Sequence, residues 1–198
     1  MIVRTMCPKD IAEVAEVEKI AWGPLAASKE TIAQRAAVFE KGSIVVIEDG
    51  QIVGYAASQL TDHISTKSWD AQTDCGQIAQ SHRPEGTIAY GVSMSARPGV
   101  SGKGVAHHVI DAYAMMYLGG ECRAMCVGSR VPGFAKWLRQ NQDGNLTDYV
   151  VPQTDGRFRD PELRLYAANG FNLLWDMPDY FPDEKSAGHG AMMIRTQM

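Results

Sequence analysis

Charge of either sign is in short supply. Charged residues make up 21% of the 198, and 19 Lys and Arg stand against 23 Asp and Glu, a formal charge of -4. The basic residues are scattered, so no cationic stripe for a nucleic-acid backbone is present. Cysteine is scarce too. Cys7, Cys75, Cys122 and Cys126 lack Cys-x-x-Cys spacing and are too sparse for a disulfide framework. They read as reduced thiols of a cytoplasmic protein. No apolar run reaches the roughly 18 residues of a membrane span, and Met1 to Thr5 reads as a strand rather than a leader. His, Cys, Asp and Glu show no metal-ligand spacing, so no metal is expected. What the chain does have is 45% hydrophobic residues, enough to bury the core of one globular domain spanning residues 1–198.

Met1 to Met6 alternates as a short strand, and Pro8 opens a helix with Ile11, Val14, Val17 and Ile20 at helical spacing. A second helix starts from a Ser28 cap, carries Thr31, Ile32, Ala36 and Phe39, and stops at Gly42. The strand-like runs Ser43 to Glu48 and Gln51 to Ser58 flank Asp49-Gly50, which suits a tight hairpin turn. From Leu60 to Gly86 the periodicity fails, and the reading is a long loop or short irregular helices around Trp69.

Thr87 to Ala96 reads as a strand with Ile88, Tyr90, Val92, Met94 and Ala96 on one side. The other side holds only Thr87, Ala89, Gly91, Ser93 and Ser95, small enough to admit another group close to the backbone. A glycine-rich turn follows, then a helix with the stripe Val105, Val109, Ala112 and Met116, and a strand from Cys122 to Val127. Ser129 to Arg159 is polar and punctuated by Gly and Pro, an insertion with one helical turn near Phe134 to Leu138. Asp160-Pro161 caps a final helix that Gly170 stops, and strands over Phe171 to Met177 and Gly190 to Arg195 close the chain.

The turn Ser101-Gly102-Lys103-Gly104-Val105-Ala106 carries the chemistry, because glycines between a strand and a helix let backbone N–H groups face an anionic oxygen. It matches neither a nucleotide P-loop nor Gly-x-Gly-x-x-Gly. It resembles the pyrophosphate loop of the GNAT superfamily of N-acetyltransferases, Gln/Arg-x-x-Gly-x-Gly/Ala, with Ser101 in the first position, Gly104 central and Ala106 last. Tyr166-Ala167-Ala168-Asn169-Gly170-Phe171 resembles the family's Tyr-x-x-x-Gly-Phe. The stretches 128–134, 159–163, 168–171 and 178–182 look like acetyltransferase domains sometimes joined to a nitrilase-type amidohydrolase, a second domain for which this chain has no room.

The resemblance implies one α/β domain, a mixed and mostly antiparallel sheet of about seven strands with helices on both faces, split at its centre to admit acetyl-CoA. Backbone groups of Met94, Ser95 and Ala96 would meet the pantetheine arm, and Ser101 to Ala106, Val105 included, would cradle the pyrophosphate. Tyr166 would protonate the departing thiolate. The acceptor would be a small-molecule amine, with Trp69 and Tyr149 on its side of the cleft, and a homodimer is compatible with the family. Trp22, Trp137 and Tyr180 are further candidates for lining an acceptor pocket. The general base stays open, because Thr87 to Ala96 holds no carboxylate; His63, Glu85 and His189 are the nearest candidates. His107 and His108 read as structural or solvated. Two alternatives stand beside acetyl transfer: a longer acyl-CoA, and a CoA-binding regulatory domain without turnover.

Overall fold

The computed structural model describes residues 1–99 and 104–197. Its strands are β1 (Ile2–Thr5), β2 (Ser43–Glu48), β3 (Gln51–Thr61), β4 (Ile88–Ala96), β5 (Ala124–Arg130), β6 (Asn172–Met177) and β7 (Gly190–Thr196). They form one mixed sheet in the order β1-β2-β3-β4-β5-β7-β6. The helices are α1 (Ile11–Trp22), α2 (Lys29–Val38), α3 (Trp69–Thr73), α4 (Gly104–Tyr113), α5 (Phe134–Gln140), α6 (Leu146–Val150) and α7 (Pro161–Ala168). Among the described residues, no helix is long and apolar enough to cross a membrane. Packing divides the chain into two compact units, residues 1–62 with 73–125, and residues 63–72 with 126–198.

In the first unit β1 to β4 pair antiparallel in succession. Asp49 at φ +50° and Gly50 at φ +81° make the turn between β2 and β3, as an Asp-Gly pair favours. Helix α2 begins where expected, with the Ser28 hydroxyl accepting from the Thr31 N–H at 3.1 Å. Helix α1 differs from its expected stripe: Val14, Val17 and Glu18 are the buried residues, while Ile20 is 49% exposed. A carboxylate occupies the face where the apolar spacing placed an isoleucine.

Helix α4 also turns its face. Val105, Val109, Tyr113 and Tyr117 are buried, whereas Met116 is exposed. The helix continues as a π-helical turn over Ala114–Leu118, whose wider winding keeps the four-residue repeat inward and brings Tyr117 in place of Met116. Gly54 sets how closely α4 lies on β3, since a Cβ there would stand 2.1 Å from Val105 Cγ1.

In the second unit, β6 and β7 pair antiparallel. The segment after β5 is more regular than its polar composition suggested, because it holds both α5 and α6. Helix α6 is capped by the Asn145 side chain, which accepts from the Asp148 N–H at 3.0 Å, and buries Leu146, Tyr149 and Val150 at helical spacing. Helix α7 is capped as expected, Asp160 Oδ1 accepting from the Glu162 N–H at 2.9 Å, and Gly170 follows it at φ +81°.

Candidate active site

The polar centre of the first unit is built on β4. Ser93 pairs with Ala57 and Gly91 with Ser58, so β4 supplies one residue more than β3, a bulge at Val92 that re-aims the strand locally. Beyond it the small face of β4 receives α1 rather than standing open. Glu18, four residues after Val14 and on the same face, is 2% exposed. Its Oε1 accepts from Ser93 Oγ at 2.8 Å and from Ser95 Oγ at 2.5 Å, and its Oε2 from the Ala27 N–H at 3.1 Å. Trp22 Nε1 donates to Ser95 Oγ at 2.9 Å.

This buried carboxylate is a candidate site group that the sequence reading did not name. With no carboxylate on the central strand, the sequence pointed to His63, Glu85 and His189, while this carboxylate comes from a helix packed against the strand. The available signal was a glutamate within the Val14 and Val17 stripe, opposite a strand face whose hydroxyls leave it room. Three donors converge on Glu18, which holds it as an acceptor in a dry setting. Ser93 is half-buried and Ser95 is buried, so a proton reaching the site from outside meets Ser93 first.

Of the expected cofactor residues, Met94, Ser95 and Ala96 lie opposite Ala56, Tyr55 and Gly54 on the last turn of the β4 ladder. Ser95 turns its side chain to Glu18, so backbone alone is its offering on the strand. Gly104 begins α4 at φ +75°, and a Cβ placed there meets no heavy atom of the described residues within 4 Å. Val105 is spent on Gly54, and Ala106 is half-buried. Ser101, Gly102 and Lys103 fall outside the described residues. His108 Nδ1 donates to the Gly104 carbonyl at 3.1 Å, within its own helix.

In the second unit Tyr166 is buried on α7, with its ring edge-on to Phe171 at 5.6 Å. Trp69 heads α3, donating its N–H to the Tyr180 carbonyl at 2.8 Å and standing edge-on to Phe181. Tyr180 is a packing residue, since its ring fills the room that side chains on Gly128 and Gly190 would need. Tyr149 is 3% exposed, and its hydroxyl donates to Asp160 Oδ2 at 3.0 Å. Burial, reinforced by Asp160, raises its pKa and keeps the phenol protonated. One edge of Tyr149 lines a cavity of about 360 Å³ together with Trp137, Lys136, Arg159 and Arg164.

Of the three base candidates, His63 and Glu85 are exposed. His189 accepts from the Asp179 N–H at 3.2 Å through Nδ1. Among the described residues, no cluster of His, Cys, Asp or Glu could hold a metal ion.

No protein-family model matches the chain. It is 24% identical over 191 residues to Probable hydrolase YhcX of Bacillus subtilis (strain 168), covering 94% of this chain and 36% of that protein. Solved structures follow its fold end to end. The GphF GNAT-like decarboxylase in complex with isobutyryl-CoA has a TM-score of 0.81 at 20% identity, covering 99% of each chain. The loading GNATL domain of CurA from Lyngbya majuscula has 0.82 at 17%, covering 98% of this chain and 96% of that one. The ribosomal-protein-S18-alanine N-acetyltransferase from Escherichia coli has 0.60 at 12%, covering 100% of this chain and 94% of that one. The chain has the GNAT fold.

Proposed function

We propose that the protein is an acyl-CoA-dependent acyltransferase that moves an acetyl group from acetyl-CoA to a small-molecule amine. The observation that carries the reading is the order of features on one path: the bulged strand β4, then α4 opening at a positive-φ glycine where a Cβ would meet none of the described residues within 4 Å. A bulge presents strand N–H groups to a thioester oxygen, and the positive end of α4 suits a pyrophosphate. In the reaction the amine nitrogen attacks the thioester carbon, the C–N bond forms, and the C–S bond breaks. The amine's proton passes to Ser93, whose own proton moves on to Glu18. The thiolate takes a proton from Tyr166. Trp69 and Tyr149 contribute to the acceptor side.

Decarboxylation is the second reading, favoured by the closer overlay on the GNAT-like decarboxylase than on the N-acetyltransferase, TM-scores of 0.81 and 0.60. A carboxyacyl-CoA would lose CO₂, its electron pair would move into a thioester enolate held by the same N–H groups, and the α-carbon would then take a proton. That route needs no base on β4.

One assay separates the two. Acetyl-CoA releases free CoA thiol in proportion to added amine only if acyl transfer to that amine occurs, whereas malonyl-CoA alone becomes acetyl-CoA without thiol release only if decarboxylation occurs. Thiol release dependent on an amine supports the first reading. Neither product from either substrate overturns both.

A further inference from the structure

The cavity of the second unit has a chemistry of its own. Its volume of about 360 Å³ suits a molecule with a single ring. One wall is aromatic: the rings of Trp137 and Tyr149 lie 5.4 Å apart, and Phe134 packs against both, at 6.1 Å from Trp137 and 5.2 Å from Tyr149. The remainder is cationic or amide-bearing, with Lys136, Arg159 and Arg164 beside Gln140 and Gln153. Among the described residues, no carboxylate lines it.

Both guanidinium groups are held by backbone carbonyls, and Lys136 is exposed. Arg159 Nη1 donates to the Asp148 backbone carbonyl at 3.0 Å. Arg164 Nη1 donates to the carbonyls of Phe158 and Arg159 at 3.1 and 2.6 Å. Carbonyls orient a guanidinium without neutralising it, and each guanidinium has five donors. The ion pairs of Arg4 with Asp10 and of Arg130 with Glu162 and Asp183 do not involve Lys136, Arg159 or Arg164. Asp160 is the carboxylate in contact with the lining, and it is fully buried, its Oδ2 committed to the Tyr149 hydroxyl and the Gly133 N–H. It offsets one cation and offers a ligand nothing. In a chain of net charge -4, a lining that holds three cations and, among the described residues, no carboxylate is a feature with a sign.

We propose that this cavity is a binding site for a small aromatic anion, a carboxylate or a phosphate monoester. The ring lies on the half-buried Trp137 beside the edge of Tyr149, and the anionic group meets Arg159, Arg164 and Lys136. The inference goes beyond the acyl-transfer reading, shares with it only the aromatic candidates Trp137 and Tyr149, and is tested with no acyl-CoA present.

The full chain is titrated with 4-fluorobenzoate, 4-fluorophenyl phosphate, 4-fluorobenzyl alcohol and 4-fluorobenzylamine, followed by ¹⁹F line broadening. At least one anion binds about tenfold more tightly than the neutral alcohol, the amine binds more weakly still, and added salt weakens the anion. Whichever anion binds better identifies the headgroup. Lys136→Gln, at an exposed position, and Arg159→Gln each weaken the anion about fivefold or more and leave the alcohol unchanged. Circular dichroism confirms that each variant is folded. Equal binding of anion and alcohol overturns the proposal, as does an unchanged anion affinity in a folded Lys136→Gln, Arg159→Gln double variant. Absence of binding by either anion at about 10 mM also overturns it.

Discussion

Ser95 Oγ donates to Glu18 Oε1 while accepting the Trp22 indole N–H, so a strand hydroxyl links the two ends of one helical turn of α1. The bond binds the central strand to the first helix through a buried carboxylate rather than through apolar contact alone. It also gives the acyl-transfer reading a proton acceptor that β4 itself does not supply.

Glu18→Gln tests that role. The amide places an N–H₂ against one of three donors, which costs about 1–3 kcal/mol of stability. Turnover with the best amine falls about 10²-fold, the low end for losing a general base, while the KM for acetyl-CoA stays near its wild-type value. A folded Glu18→Gln protein with full turnover would reduce Glu18 to a structural tie.

The seat of α4 on β3 gives a second prediction. Gly54→Ala drives its methyl into Val105, 2.1 Å from Cγ1, and overpacking of this kind costs about 1–3 kcal/mol. Val105→Ala in the same chain recovers part of the loss. A double-mutant cycle in urea therefore gives a favourable coupling, and simple additivity would contradict the contact.

Tyr166→Phe separates chemistry from packing. The phenyl ring keeps its edge contact with Phe171 at 5.6 Å. As an acid, the hydroxyl is worth about 10²–10⁴ in kcat, toward the low end because a thiolate is a fair leaving group, and the loss shrinks as pH rises. Normal turnover at every pH would make Tyr166 a packing residue.

His82 makes the first unit sensitive to acid. Its Nδ1 accepts from the Leu60 N–H at 3.1 Å and its ring stacks on Phe39 at 4.5 Å. Burial, aided by Arg83, lowers its pKa, so the fold favours neutral imidazole. The stabilisation is fully present above the unfolded value of about 6.5 and is lost as pH falls through that value toward the lowered one. The urea midpoint therefore drops more between about pH 7.5 and about pH 5 in the wild type than in His82→Asn. Parallel drops would contradict the linkage.

Much of this architecture was legible from local chemistry. Ser28, Asp49-Gly50, Asp160-Pro161 and Gly170 each act through their own backbone and hydroxyl or carboxylate groups, and each stands where it was read. Features set by tertiary packing were not. A π-helical turn exchanged Met116 for Tyr117, and the Asn145 cap organised α6 inside a stretch whose polar composition suggested a loop. Glu18 was hidden because a strand and a distant helix share it, and spacing along one element cannot reveal a partner on another. The acceptor aromatics divided in the same way: Tyr180 fills space beside two glycines, whereas Trp137 and Tyr149 line a cavity.

The central claim is that the path from β4 into α4 binds an acyl-CoA, and thermal unfolding with acetyl-CoA tests it most directly. A ligand that binds only the folded state stabilises it by about 2.7 kcal/mol at a hundredfold excess over its Kd, so Tm rises with acetyl-CoA concentration. Gly104 stands at φ +75°, and among the described residues nothing lies within 4 Å of a Cβ placed there, so Gly104→Asn keeps a residue that tolerates this conformation while placing a side chain where the pyrophosphate would lie. Gly104→Val adds backbone strain to the same obstruction. The account predicts a concentration-dependent rise in the wild type that is lost in folded Gly104→Asn and Gly104→Val proteins. No rise in the wild type, or an undiminished rise in both variants, would contradict it.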